Sequence, residues 1–337
     1  MERGELRQNK ATLQWVIYSP ARRKRPHDFQ IPHGQKEVHH AHESRCPFCR
    51  GNESLLPEII MEMRGADGAW QTRVIPNKFP ALIPEGDAGR STNGIYLTMN
   101  GYGRHEVVIE SPFHDRHMAR MSREEVSAVV GTYHRRYVEL MRQHENLLTI
   151  IFRNHGKRAG TSLIHPHSQI IVTAVVPHYV RWREEEAERY FDQWGRCVYC
   201  DILEFEMKDQ RRVVLENTSF VAFVPFAAEV PFELWIVPKN HRADFGSVSD
   251  AELHDLSAIL RDILGQLSLK LADPDYNYII NTAARFRADE PQLHWYLRIH
   301  PRLTTRAGFE IGSGISINPS LPEDDAALLK HGITAHA

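Results

Sequence analysis

Two long stretches of the chain have the hydrophobic periodicity of an amphipathic helix, and both begin with the same capping sequence. In the first, Ser122 is followed at the third position by Glu125, which is the arrangement of a capping box. Apolar residues then recur at helical spacing, at Val126, Val129, Val130, Tyr133, Tyr137, Leu140 and Met141. In the second, Ser249 and Glu252 precede the series Leu253, Leu256, Ile259, Leu260, Ile263, Leu264 and Leu267. The pattern predicts one long helix in each half of the chain.

Apolar and β-branched runs on both sides of these helices predict strands. In the first half they are Val107–His114, Leu148–Phe152 and Ile170–Thr173, with His165 expected on the last strand; in the second half they are Phe232–His241, Tyr276–Ile280 and His294–Leu297. Along each half of the chain, strands therefore follow one another, and only one long helix interrupts them. This order predicts an α+β fold with mostly antiparallel sheets and the helices packed on one side.

The same features recur in the same order in the two halves. Each half has a Cys-x-x-Cys pair, a strand followed by a histidine, a capped helix, a further strand and a late histidine. Ser122 lies eight positions after His114, and Ser249 lies eight positions after His241. We interpret this repeat as an internal duplication. The predicted organisation is one domain over residues 1–176, a polar linking helix over 177–196, and a second domain over 197–337.

Composition and charge narrow the classes of function. Apolar residues make up 42% of the 337 residues, enough for a sizeable core, and the formal net charge is −2. Such a charge provides no basic field to attract nucleic acid or an anionic membrane. No run approaches the roughly 18 apolar residues of a membrane span, and the N-terminal residues lack the apolar centre of a signal peptide. We expect a cytoplasmic protein with neither nucleic acid nor membrane as a partner.

The cysteines and the recurring histidines predict two metal sites. The first set is Cys46, Cys49, His114 and His165, and the second is Cys197, Cys200, His241 and His294. Two cysteines with two histidines form a closed tetrahedral set that suits zinc in a structural role. The alternative is buried thiols beside hydrogen-bonded core histidines. Because the four-residue order occurs twice, we favour zinc at both sites, more strongly at the first.

The segment His165-Pro-His167-Ser-Gln169 carries the candidate chemistry. In a strand, side chains two residues apart lie on the same face, so His167 and Gln169 point to one place. A neutral imidazole can attack phosphorus. A glutamine amide can donate to a phosphoryl oxygen, but it cannot supply a catalytic proton. We therefore predict His167 and Gln169 as catalytic residues, with the zinc bound to His165 in a positioning role.

This segment resembles the His-x-His-x-Gln signature of the transferase branch of the histidine-triad superfamily. The whole chain resembles the galactose-1-phosphate uridylyltransferase family, to which ADP-glucose phosphorylase is closely related. The similarity extends over the early basic run from Ser19 to Pro26, Cys46-Pro-Phe-Cys49, Pro76–Phe79, Phe152–Gly156, Val224–Phe232, His294–Leu297 and Gly308–Ile315. It implies two fused histidine-triad-like domains, each a mostly antiparallel sheet carrying a long helix.

The resemblance also implies a ping-pong reaction. His167 would attack the α-phosphorus of a nucleotide sugar and expel the sugar 1-phosphate, and a second phosphorylated acceptor, a sugar 1-phosphate or phosphate, would then take the nucleotidyl group. Hydrolases of the superfamily have a third histidine where this chain has Gln169, so transfer is favoured over hydrolysis. In the repeat, His167 aligns with Tyr296 and Gln169 with Arg298, which implies one chemical centre per chain. Family members are dimers, so a homodimer is expected.

By the same resemblance, several residues are candidate substrate contacts. They are Arg22, Arg23 and Arg25 near the nucleotide, Asn77 and Phe79 at its border, Asn154 and Ser162 near phosphate and ribose, and Phe309 at the hexose end. For the three arginines the alternative is a solvated basic turn. For Asn77 and Phe79 it is an ordinary turn with a core residue, and for Asn154 and Ser162 it is local capping.

The main hypothesis is a UDP-glucose–hexose-1-phosphate uridylyltransferase acting on galactose 1-phosphate. The alternative is an ADP-glucose phosphorylase or adenylyltransferase that uses inorganic phosphate. A histidine-triad hydrolase and a zinc-stabilised binding module without catalysis are further alternatives, and Gln169 and His167 respectively argue against them.

Overall fold

The computed structural model describes residues 4–24 and 40–330. Its strands are β1 Glu5–Gln8, β2 Trp15–Tyr18, β3 Met61–Arg64, β4 Trp70–Pro76, β5 Arg90–Asn93, β6 Tyr96–Met99, β7 Gly103–Ile109, β8 Leu148–His155, β9 His167–Thr173, β10 Val213–Glu216, β11 Phe220–Phe223, β12 Leu234–Pro238, β13 Tyr276–Asn281, β14 Tyr296–Pro301 and β15 Ser316–Asn318. Its α-helices are α1 Arg123–Met141, α2 His178–Trp194, α3 Val198–Asp209, α4 Asp250–Lys270, α5 Gly308–Ser313 and α6 Pro322–Lys330.

One ten-stranded sheet runs through both halves of the chain, in the order β10-β11-β12-β14-β13-β8-β9-β7-β4-β3. Every neighbouring pair in this sheet is antiparallel. The first half contributes β3-β4-β7-β9-β8 and the second half β10-β11-β12-β14-β13, which is the same order. The halves join where β8 pairs with β13, and Phe152 lies opposite Ile279 at that seam. The predicted α+β fold, with two units that are each a mostly antiparallel sheet carrying a long helix, is thereby confirmed.

The two long helices form as predicted. The Ser122 hydroxyl accepts a hydrogen bond from the Glu125 amide at 3.2 Å, and the Glu125 carboxylate accepts one from the Ser122 amide at 2.7 Å. Ser249 and Glu252 form the same reciprocal pair at the start of α4. The apolar faces of α1 and α4 contact each other and pack on one face of the large sheet, in a core shared by both halves. That arrangement leaves the opposite face of β7, β8 and β9 for the site.

Some strand ends differ from the expectation. The run Val107–His114 is a strand only as far as Ile109, and Pro112, which has no amide proton, lies just beyond. Of the run Phe232–His241 only Leu234–Pro238 is extended, since Phe232 has a left-handed φ of 59°.

The late histidines are not on strands, contrary to the expectation. His165 precedes β9 and His294 precedes β14 by two residues each. In the first case Pro166 separates His165 from the strand, and it cannot donate to the ladder.

The segment between the halves is helical, as α2 covers His178–Trp194. Because the large sheet and its core are continuous across both halves, the division into residues 1–176, 177–196 and 197–337 stays a prediction. A small sheet lies apart from the large one, with β2 antiparallel to β1 and parallel to β15. A separate hairpin is formed by β5 and β6.

Candidate active site

His167 is the first residue of β9 and forms part of the wall of a cavity of about 590 Å³. Its ring is largely buried, with the edge of Phe48 packed against it at a centroid distance of 5.6 Å. Its Nδ1 lies 2.8 Å from the carbonyl oxygen of His165. A carbonyl oxygen can only accept, so Nδ1 carries the proton and Nε2 keeps the lone pair.

Burial also lowers the pKa of His167 below its ordinary value, because the charged form loses hydration. The ring is therefore neutral near pH 7. A neutral imidazole whose tautomer is fixed by a backbone carbonyl is the form required of a histidine nucleophile.

Gln169 lies two residues along β9, on the same face as His167. Its Oε1 accepts a hydrogen bond from Nε2 of His105 at 2.7 Å. The tautomer of His105 is set from the other side, since its Nδ1 accepts from the Ala81 amide at 3.1 Å. With its oxygen held in this way, the amide nitrogen of Gln169 is the group that can donate to a ligand. The sequence reasoning did not identify His105, which is on β7 and belongs to no motif.

Two of the candidate substrate contacts lie close to this centre. Asn154, near the end of β8, contributes to the cavity wall, and its Oδ1 accepts from Asn277 at 2.7 Å. Asn77 lies against His105, with 3.1 Å between Nδ2 and Nε2. Asn77 also turns the chain locally, because its Oδ1 accepts from the amide of Phe79 at 2.9 Å. Asn154 thus approaches from β8, beside His167, and Asn77 from the end of β4, by way of His105.

The other candidate contacts are less enclosed. Phe79 has 82% of its surface exposed, and Ser162 is exposed in the loop that leads to His165. Arg22 lies in the short 3₁₀ helix Pro20–Lys24 after β2, and Phe309 is half-exposed in α5, before β15. These two positions flank the small sheet, and neither is among the described residues that line the cavity around His167. Arg23 is in the same 3₁₀ helix as Arg22, and Arg25 lies outside the described residues.

The first predicted metal set is assembled beside His167. Cys49 Sγ lies 3.4 Å from Nδ1 of His114 and 3.6 Å from Nδ1 of His165, and Cys46 Sγ lies 3.7 Å from the same His165 nitrogen. Tetrahedral zinc with ordinary bond lengths would place sulfur and nitrogen ligands about 3.6 Å apart. His165 donates from Nε2 to the Ser111 carbonyl at 2.8 Å, which turns Nδ1 toward the thiols. The donor set therefore fits a tetrahedral ion.

Burial raises the pKa of the Cys46 thiol to about 11, so without a cation this thiol holds its proton at neutral pH. A bound cation would reverse that preference, because thiolates are the ligand form.

The second set has the same arrangement. Cys200 Sγ lies 3.2 Å from Nδ1 of His241 and 3.6 Å from Nδ1 of His294, and all four donor atoms lie within 4.8 Å of one another. His294 donates from Nε2 to the Pro238 carbonyl at 3.1 Å, as His165 does to Ser111. The cluster is more open than the first, since His241 is exposed. Its residues also fit a tetrahedral ion.

The position in the second half that matches His167 has a different environment. Tyr296 is buried, and its ring packs on Trp235 at 4.7 Å and on Tyr199 at 5.3 Å. Arg298, which matches Gln169, is paired with Glu229 at 3.2 Å and donates to Glu233 at 3.1 Å. An aromatic stack and a buried ion cluster thus fill the second position, and the geometry supports a single chemical centre.

A buried ion pair joins β8 to the end of β7 on the helix side of the sheet. Nε of Arg153 donates to Glu110 at 2.9 Å, and its Nη1 donates to the Tyr276 hydroxyl at 2.9 Å. Both charged side chains are almost wholly excluded from water. Removing one partner of such a pair is costly, so the pair holds together the two strands between which β9 and His167 lie. The hydrophobic periodicity of the sequence did not indicate this ion pair.

Comparison with known proteins identifies the class. The family model described as galactose-1-phosphate uridyl transferase, N-terminal domain, matches residues 2–177, and the corresponding C-terminal domain matches residues 183–307. The chain belongs to the galactose-1-phosphate uridylyltransferase family and is an enzyme of the nucleotidyltransferase type.

Individual relatives show how far the similarity extends. The chain is 38% identical to the ADP-glucose phosphorylase of Arabidopsis thaliana, over 97% of this chain and 92% of that protein. It is 28% identical to the galactose-1-phosphate uridylyltransferase of Haemophilus influenzae, over 89% and 83%. The crystal structure of an ADP-glucose phosphorylase from Arabidopsis thaliana with bound ADP-glucose superposes with a TM-score of 0.84 at 35% identity, covering 98% of this chain and 99% of that one.

None of the helices in the described part of the chain combines the length and the apolar character needed to cross a membrane.

Proposed function

We propose that the protein transfers a nucleotidyl group from a nucleotide sugar to a phosphorylated acceptor through a covalent intermediate on His167. In the first step, Nε2 of His167 forms a bond to the α-phosphorus, and the bond from that phosphorus to the bridging oxygen breaks. The sugar 1-phosphate leaves with the electron pair. In the second step, a phosphate oxygen of the acceptor attacks the same phosphorus, and the bond to nitrogen breaks to restore the neutral ring.

The orientation of His167 carries this proposal. Its proton is held by the His165 carbonyl, so the lone pair is on the other ring nitrogen of a residue that forms part of the cavity wall. No proton has to be removed before attack. A sugar phosphate is already a good leaving group, so the site needs a hydrogen-bond donor rather than an acid at Gln169.

In this mechanism Gln169 donates its amide to a non-bridging oxygen as negative charge develops there. His105 has the positioning role, because it holds the carboxamide oxygen at 2.7 Å. Interactions of this kind stabilise the transition state more than the bound substrate.

We expect Gln169→Ala to slow nucleotidylation of the enzyme by about 10²–10³-fold while the KM for the donor changes little. Gln169→Glu keeps the size of the side chain but replaces the donor by a negative charge, so its rate should be lower still. Rapid-quench measurement of the labelled enzyme gives both rates. If Gln169→Ala labels as fast as the wild type, the amide has no part in the chemical step.

The first candidate donor is UDP-glucose, with a hexose 1-phosphate such as galactose 1-phosphate as acceptor. The family model and the relative in Haemophilus influenzae support it. The second candidate is ADP-glucose, with inorganic phosphate as acceptor. It is supported by the 38% identity to a plant ADP-glucose phosphorylase and by the similarity to a structure with bound ADP-glucose.

A single assay separates these candidates. The protein is incubated with UDP-glucose or ADP-glucose labelled at the α-phosphate, and the label on the protein is tested for lability in acid, as a phosphoramidate requires. We expect a stable adduct from one donor and its discharge by one of three acceptors, galactose 1-phosphate, glucose 1-phosphate or phosphate. The absence of an adduct with both donors would overturn the proposed function.

We further propose zinc in both Cys₂His₂ clusters, a homodimer and a cytoplasmic location. The donor sets support zinc, and four protein ligands make each ion a structural cross-link without an open coordination position. The dimer and the location rest on the family resemblance and on the composition of the chain.

A further inference from the structure

A third cluster of metal-ligating side chains lies in the cavity that contains His167, and it belongs to neither Cys₂His₂ set. His117 precedes the 3₁₀ helix Met118–Arg120, His155 is the last residue of β8, and Asp273 follows α4. One donor atom from each lies within 4.8 Å of the other two. All three line the same cavity as His167.

The distances fit three ligands of one ion. Nε2 of His155 lies 3.1 Å from Oδ1 of Asp273, and Nε2 of His117 lies 3.7 Å from Oδ2 of the same carboxylate. Ligands bound at 2.0–2.2 Å on adjacent positions of a tetrahedral or octahedral ion are separated by about 2.9–3.6 Å. Two of the three separations are therefore already close to those of bound ligands, and all three donor atoms lie within 4.8 Å of one another.

The side chains are held in this arrangement from outside the cluster. The His155 ring stacks on Tyr276 at 4.8 Å, with an angle of 27° between the planes. The backbone places Asp273 at the second of two consecutive left-handed residues, Ala272 with φ 54° and Asp273 with φ 56°. Alanine rarely adopts this conformation, and such strain persists where the surrounding structure needs a particular geometry.

One polar atom in the cluster lacks a protein partner. Nδ1 of His117 is buried and has no hydrogen bond among the described residues. A buried polar atom without a partner is costly and calls for an explanation. A bound ion or an ordered water is the kind of partner that would satisfy it.

We propose that His117, His155 and Asp273 form a third metal site, which binds a divalent transition ion such as Zn²⁺, Mn²⁺, Fe²⁺ or Co²⁺. Two imidazoles and one carboxylate are a recurrent ligand set for these ions. Three protein ligands leave coordination positions open, unlike the closed Cys₂His₂ sets. Because the cluster lines the cavity, water or a phosphate oxygen can fill those positions. The binding of the ion does not depend on the proposed nucleotidyl transfer.

Cobalt binding to the full chain tests this site directly. Protein whose Cys₂His₂ sites are already loaded with zinc is titrated with Co²⁺, and bound metal is counted by mass spectrometry after gel filtration. We expect the wild type to take up about one further equivalent of cobalt, and His155→Gln and His117→Gln each to lose it. The absorption of this ion should lack the thiolate-to-cobalt charge-transfer band of a cysteine site.

The matched control is His254→Gln, which changes an exposed histidine on α4. It should retain the additional cobalt. Each variant is accepted only if it still holds the zinc of the wild type and melts cooperatively, so that loss of cobalt is separated from loss of fold. Adding inorganic phosphate should then shift the cobalt spectrum of the wild type. Equal cobalt uptake by the wild type and both cluster variants, or uptake by none of them, would overturn the proposal.

The outcome is independent of the nucleotidylation assay. An adduct on His167 without a third ion would leave the proposed function intact and remove this site. A third ion without an adduct would support this metal site and overturn the proposed function.

Discussion

Replacement of His167 by asparagine is expected to abolish covalent labelling by the nucleotide sugar and to lower turnover by at least about 10⁴-fold. Asparagine has no nitrogen that can attack phosphorus, while its Nδ2 can still donate to the His165 carbonyl in place of the ring Nδ1. The substitution therefore removes the nucleophile with little change in local packing. Turnover should fail because the first covalent step cannot occur.

The matching control is His254→Asn, which makes the same chemical change at an exposed position of α4. It should take up label at the wild-type rate. Rapid quenching followed by acid precipitation measures the adduct, and zinc content with a thermal melt shows that both variants are folded. A His167→Asn protein that still turns over at a rate near the wild type would mean that transfer does not pass through this residue.

The parts of the fold that the sequence predicted are those set by local rules. A capping box followed by apolar residues at helical spacing specifies a helix start and its buried face from within one segment, so α1 and α4 could be located from their residues alone. The two Cys₂His₂ sets could be predicted for a different reason. Their ligands are distant in sequence, but the duplication repeats their order, and the repeat distinguishes these histidines from the others among the 20 in the chain.

The residues that orient the site could not be predicted, because they are brought in by strand pairing. His105 reaches Gln169 only because β7 lies beside β9, and the two residues are 64 positions apart. Arg153 meets Glu110 across the same part of the sheet, 43 positions away. Neither contact leaves a periodic pattern or a motif.

The third cluster has the same property. His117, His155 and Asp273 come from a short helix, a strand end and the residues after α4. The three residues belong to separate segments and to no spaced motif, so no pattern in the sequence indicates the site. The expectation that His165 is on the strand was wrong, because Pro166 delays the start of β9 to His167.

The two Cys₂His₂ clusters should differ in their effect on the chemistry. Cys49 and Cys200 are the second cysteines of their pairs, and each contacts both histidines of its own set. Replacing either by alanine leaves three ligands, so each variant should lose one zinc. Because the cluster ties distant segments together, each should also lose about 5–10 °C of Tm. Metal analysis and a thermal melt measure these losses.

Only the Cys49→Ala variant is expected to slow nucleotidylation, by about 10–100-fold, an effect typical of removing support from a positioned group. His165 is one of the four residues of the first cluster, and its carbonyl is the group that holds the His167 proton. Releasing the His165 ring therefore loosens the acceptor that fixes the tautomer of the nucleophile. The second cluster has no such connection, since Tyr296 occupies the matching position in an aromatic stack.

Each rate is compared at a temperature well below the lower of the two melting points, so that unfolding does not contribute. If Cys200→Ala slows labelling as much as Cys49→Ala, the ions act on the fold as a whole. If both variants label at the wild-type rate, His165 does not orient His167 through its metal. A selective loss in Cys49→Ala would show that the duplicated structural site has gained a positioning role in the half of the chain that carries the nucleophile.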